Sequence, residues 1–96
     1  MFIVSLTYTA PLAKIDARLA AHRDYLAAQY AAGIFLMSGA RVPRDGGIIL
    51  ARAPSRAALE RILSEDPFAL ADLARYEITE FTPTMTAEAF SDWRGV

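Results

Sequence analysis

The sequence predicts an α+β fold of the ferredoxin-like kind, βαββαβ: a four-stranded antiparallel sheet with two helices on one face, plus a C-terminal tail. Three observations predict it. Some segments carry the two-residue alternation or the short apolar runs of strands. Between them lie stretches rich in alanine and leucine with helical spacing. The order is strand, helix, strand, strand, helix, strand, within 96 residues that fit a single domain. The core runs from about residue 2 to 82 and the tail from 83 to 96.

Phe2 to Tyr8 places Phe2, Val4, Leu6 and Tyr8 on one face and Ile3, Ser5 and Thr7 on the other, as a strand does. Leu12 to Ala32 contains neither proline nor glycine and predicts one continuous helix, closed by Gly33 as a left-handed cap. Ile34 to Met37 is apolar on both faces of a second strand. The "PRDGG" at Pro43 to Gly47 predicts a tight hairpin, with Asp45-Gly46 or Gly46-Gly47 supplying positive φ angles. Ile48 begins the returning strand. Ser55 is a helix N-cap, and the helix it opens turns Leu59, Ile62 and Leu63 inward. "SEDPF" ends that helix, and Pro67 suits the first turn of a new one capped by Asp66. Arg75 to Phe81 reads as the last strand, and the tail as a short helix holding Phe90 and Trp93.

Two helices cover one face of such a sheet, yet two strands are apolar on both faces. An antiparallel sheet with one wet face alternates cleanly. The second face is therefore expected to meet an identical sheet in a homodimer. With 54% hydrophobic residues, the chain has more apolar surface than so small a unit covers alone.

The formal charge is −1, from 10 basic and 11 acidic residues without like-charge blocks, which argues against nucleic acid or a membrane surface as partner. There is no cysteine, hence no disulfide, thiol nucleophile or Cys-ligated metal. No segment reads as a signal peptide or a membrane span, so a cytoplasmic location is expected. One histidine without cysteine argues against a transition-metal site. No phosphate-binding glycine loop or nucleophile elbow is present, and no cofactor is expected.

The only histidine, His22, sits in "RLAAHRDYL". At roughly 100° per residue, Ile15, Leu19, His22, Leu26 and Tyr30 share one helical sector, with His22 near its centre. A buried imidazole needs partners for one donor and one acceptor. Asp66, in the break after the second helix, is a candidate, since that helix packs beside the first. A carboxylate on one ring nitrogen fixes the tautomer and leaves the other as the base. The alternative is a helix cap and a satisfied core histidine. Ser38 and Gly39 end the second strand and are candidate pocket residues, or simply close the strand. Tyr8 reaches toward His22 or is a core tyrosine. Arg41 and Arg44 flank the hairpin, where they meet an anionic ligand or only solvent.

"AHRDYL" at Ala21 to Leu26, the "AAG" closing the helix, "SGA" at Ser38 to Ala40, "DGG" at Asp45 to Gly47 and "SEDPF" at Ser64 to Phe68 together resemble the YciI-like (YCII-related) family over residues 2–81. The resemblance implies a dimer with packed sheets, in the dimeric α/β-barrel superfamily, and a pocket between sheet and helices. It implies His22 and Asp66 as catalytic residues and Ser38 and Gly39 as pocket lining. Relatives are linked to dehydrochlorination or ring-modifying steps in aromatic breakdown. Many relatives carry proline after the Ser-Gly pair, where this chain has Ala40. The expected function is a small cofactor-free enzyme using a His–Asp dyad for elimination, isomerisation or lyase-type chemistry on a small, aromatic or enol-like substrate. The alternative is a non-enzymatic dimeric ligand-binding or accessory module with His22 as a strut.

Overall fold

The computed structural model describes all residues from Met1 to Val96. The strands are β1 (Phe2–Tyr8), β2 (Phe35–Ala40), β3 (Gly46–Ala51) and β4 (Ala74–Glu80). The helices are α1 (Leu12–Ala17), α2 (Leu19–Ala31), α3 (Arg56–Leu63) and α4 (Pro67–Leu70), and a 3₁₀ turn spans Glu88–Trp93. The sheet runs β2-β3-β1-β4 with every neighbour antiparallel, the split βαβ order expected of the ferredoxin-like fold.

Alternation in β1 decides which face is buried. Phe2, Val4 and Leu6 are buried toward the helices. Their cross-strand partners Ala51, Ile49 and Gly47 on β3, and Ile78 and Tyr76 on β4, share that face. Ile15, Leu59, Leu63, Phe68 and Leu73 close the core from the helical side. The other face carries Ile3, Ile48 and Met37, which are 37%, 38% and 49% exposed. The core-forming helices pack on the opposite face, and the tail's Phe90 and Trp93 border this one beside Met37 and Leu50; no helix of the chain is long and apolar enough to cross a membrane.

The expected single helix from Leu12 to Ala32 is two. Arg18 leaves helical geometry at φ −109° and ψ 2°. Its N–H bonds the Ile15 carbonyl, and α2 resumes with His22 N–H on the Arg18 carbonyl. No proline or glycine marks this break; packing makes it. Ile15 on α1 is fully buried, whereas α2 has no fully buried residue. At the far end the sequence reading holds: Gly33 has φ +75°, its N–H bonds Tyr30 O, and Ile34 N–H bonds Gln29 O at 3.0 Å, a Schellman ending.

The hairpin also differs from expectation. Neither Gly46 nor Gly47 has a positive φ. Both belong to β3, and residues 41–45 make the connection. Gly46 serves close approach instead: a Cβ there would lie 1.8 Å from the Leu6 carbonyl oxygen. Arg41 ties the loop together, bonding Asp45 Oδ1 at 2.9 Å and Thr7 Oγ1 at 3.1 Å. That use of its guanidinium removes it from the candidates for ligand contact.

Ser55 caps α3 as expected, its hydroxyl accepting from Ala58 N–H at 3.1 Å. The tail folds back on the start of β1. The Met1 ammonium donates to Val96 O at 3.0 Å, and Phe90 stacks on Trp93 in the 3₁₀ turn.

Candidate functional site

Three elements converge at one end of the helical layer. α2 brings His22, the turn before α4 brings Asp66, and β4 brings Tyr76. Asp66 is fully buried. A buried carboxylate is tolerated only where its lone pairs are occupied. Its Oδ1 accepts from His22 Nδ1 at 2.8 Å and from Phe68 N–H at 3.0 Å, the latter bond capping α4. Its Oδ2 accepts from the Tyr76 hydroxyl at 2.6 Å. Because an ionised carboxylate only accepts, His22 carries its proton on Nδ1. Nε2 is then the lone-pair nitrogen. It has no partner in the protein, and the single buried polar side-chain atom left unpaired is Thr86 Oγ1, so Nε2 is not sealed.

His22 is held on its flat side as well. Its ring stacks on Phe68 at 4.0 Å between centroids and 11° between planes. Tyr8 meets Phe68 edge-to-face, with 6.0 Å between ring centroids. The imidazole, expected near the centre of a buried stripe, keeps its side chain 12% exposed. It forms part of the wall of a cavity of about 430 Å³, within the range of small-molecule sites. Leu6 and Ile49 lie on the sheet side of this space, Leu19 and Leu26 on the α2 side, and Phe68 beside the imidazole.

Of the residues singled out in the sequence, His22, Tyr8, Ser38 and Gly39 line this one cavity, with Asp66 directly behind His22. Tyr8 makes no hydrogen bond to His22, and the phenol in the network is that of Tyr76. The Ser38 hydroxyl is hydrogen-bonded to the Tyr30 hydroxyl. Tyr76 was not singled out. The signal was available: alternation in Arg75 to Thr79 puts Tyr76 with Ile78 on the apolar face, and a buried tyrosine hydroxyl requires a partner. Arg23 and Arg44 line the cavity too, and Arg44 Nη2 bonds Asp16 Oδ1 at 2.6 Å, a pairing that favours its charged form. No three His, Asp or Glu side chains cluster together.

A model of the YCII-related domain matches residues 1–82. The chain belongs to the YCII-related family. No curated protein matches this YCII-related chain by sequence. Among solved structures its fold is similar to 5-chloro-2-hydroxyhydroquinone dehydrochlorinase from Burkholderia phenoliruptrix AC1100, in complex with 2,5-dihydroxybenzoquinone. The TM-score is 0.68 at 20% identity, covering 85% of the YCII-related chain and 94% of the other.

Two tyrosines of the site region give this domain an alkaline signature. The Tyr76 phenol is pushed up by burial first and then by its bond to Asp66; Tyr25 is pushed up by burial and the Asp66 and Glu65 charges. Folded, both phenols keep their protons above the ordinary value of 10.0, where unfolded ones lose them. Folding then binds protons, so this stabilisation is complete below that value and lost as the pH rises past it. Urea midpoints measured from about pH 8 to about pH 11 should fall in the upper part of that range. The fall should be shallower in Tyr76→Phe; equal slopes in the two proteins would contradict the assignment.

Proposed function

We propose that the protein is a small, cytoplasmic, homodimeric enzyme, working without a cofactor, that performs general acid–base chemistry on a planar ring or enol-like substrate. The observation that carries this reading is the division of labour at His22: Nδ1 is bound to a buried carboxylate and Nε2 opens on a cavity. A strut would be walled in on both sides.

In this mechanism Nε2 takes a proton from a C–H or O–H of the substrate, and the imidazolium that forms is stabilised by Asp66. The electrons left behind delocalise into the ring or enolate and expel a leaving group, or the proton returns at another carbon. Elimination and isomerisation thus need no nucleophile. Ser38, backed by Tyr30, stands at the cavity as a hydroxyl that can stabilise an oxygen on which charge develops. Leu6, Leu19, Leu26, Ile49 and Phe68 supply the apolar part of the wall against which a ring can lie. The dimer is supported by the exposed apolar row of Ile3, Ile48 and Met37 on the face turned away from the core helices. Membership in the YCII-related family and the fold likeness to a ring-dehydrochlorinating enzyme favour the same substrate class.

Thermal unfolding with a panel of planar phenols, quinols and quinones tests the reading, with 2,5-dihydroxybenzoquinone and 5-chloro-2-hydroxyhydroquinone included. A ligand held at a hundred times its Kd stabilises the folded state by about 2.7 kcal/mol. At least one panel member should raise the Tm of the wild type and raise it less in His22→Ala. A panel without effect, or with equal shifts in both proteins, would sink the proposal.

A further inference from the structure

The cavity holds an unbalanced charge that the acid–base machinery does not use. Arg23, Arg44 and Asp16 line it together with His22. Arg44 is committed to Asp16 at 2.6 Å. Arg23 takes part in none of the chain's ion pairs, which join His22 to Asp66, Arg41 to Asp45, Arg44 to Asp16, Arg56 to Glu60 and Arg75 to Glu77. Two guanidiniums against one carboxylate leave one surplus positive charge at the cavity. The Asp66 carboxylate behind His22 does not offset it at the opening, because its oxygens are buried and occupied by three donors.

We infer that Arg23 is the specificity-determining residue of this cavity and that it selects a ring substrate carrying an ionised oxygen substituent, a carboxylate or an enolate. The inference rests on the cavity being the substrate site, as proposed above, and not on His22 being the base. Arg23 follows His22 directly on α2, so its side chain leaves the helix about 100° around from the imidazole. Both nevertheless border the same cavity. A planar body of aromatic size has the apolar surfaces of Leu6, Ile49 and Leu26 to lie against. Its charged group then meets the guanidinium, whose planar fork bonds two oxygens of one anion at once. That contact would orient the ring, presenting the same edge to Nε2 on each encounter. A neutral analogue would retain the apolar contacts and lose the orientation.

Binding of benzoate and of benzamide, isosteric probes that differ in charge, tests this by nuclear magnetic resonance titration of the wild type, Arg23→Gln and His22→Ala. Benzoate should perturb resonances of cavity residues in the wild type and bind about tenfold more weakly to Arg23→Gln. Benzamide should bind the wild type and Arg23→Gln alike. Squarate, a small planar enolate-type dianion, should follow benzoate. Benzoate binding in His22→Ala should persist, which separates the anion site from the catalytic reading: a failed acid–base mechanism leaves this result unchanged. Equal benzoate affinity in wild type and Arg23→Gln overturns the inference, as does wild-type affinity for benzamide matching that for benzoate, or no benzoate binding at all.

Discussion

Replacing His22 with asparagine lowers turnover of a cavity substrate by about 10²–10⁴-fold, the usual contribution of a positioned general acid or base. In barrier terms this is about 3–5 kcal/mol. Asparagine suits the test because its amide N–H can take over the Nδ1–H bond to Asp66 at 2.8 Å while offering no basic nitrogen. The loss should appear in kcat, since the cavity walls of Leu6, Leu26 and Ile49 that hold the ring are untouched. A second variant, His22→Ala, opens the space of the imidazole ring on Phe68. Added imidazole should restore part of its rate and none of the asparagine variant's. Turnover at the wild-type rate by either protein would remove the histidine from the chemistry.

Asp66→Ala lowers the stability of the fold by about 3–7 kcal/mol. The figure combines the loss of a helix cap, about 1 kcal/mol, with about 1–3 kcal/mol for each donor left without its acceptor. The capped donor is Phe68 N–H, and the two others are His22 Nδ1–H and the Tyr76 hydroxyl. In a domain of 96 residues this corresponds to a fall in Tm of about 15 °C or more. Asp66→Asn should lose less. Its amide oxygen can still accept from Phe68 N–H and one other donor, while its NH₂ faces a donor it cannot satisfy. Urea denaturation of both variants checks the order. A loss below about 1 kcal/mol for the alanine variant would mean that the carboxylate is solvated rather than enclosed by its three donors.

The two predictions separate two properties of one pair of residues. Asp66 is central to folding, because the turn before α4 and the orientation of His22 both hang on its oxygens. His22 faces the cavity, and its own removal leaves Asp66 bonded to Phe68 and Tyr76. A stable protein without activity is therefore the expected outcome at position 22, and a destabilised one at position 66.

The amino-acid sequence by itself determined the element order, and with it the fold. Alternation in Phe2 to Tyr8 chose the buried face of β1, Gly33 closed α2, Ser55 and Asp66 opened the helices that follow them, and each of these acts through its own few neighbours. The juxtaposition of His22 and Asp66 was also within reach, since a polar residue in an apolar stripe demands a partner and few acids were placed to serve. Tertiary structure decided what depends on distant atoms. The break at Arg18 carries no local marker, because it reconciles a buried Ile15 with an α2 that borders a cavity. Gly46 is required by the Leu6 carbonyl on another strand, not by its own turn. Arg23 and the pairing of Ser38 with Tyr30 acquire meaning only once α2 and β2 are packed around one space. Local signals report backbone preference and burial; whether a buried group is sealed or opens on a hollow is settled by how far apart the packed elements come to rest.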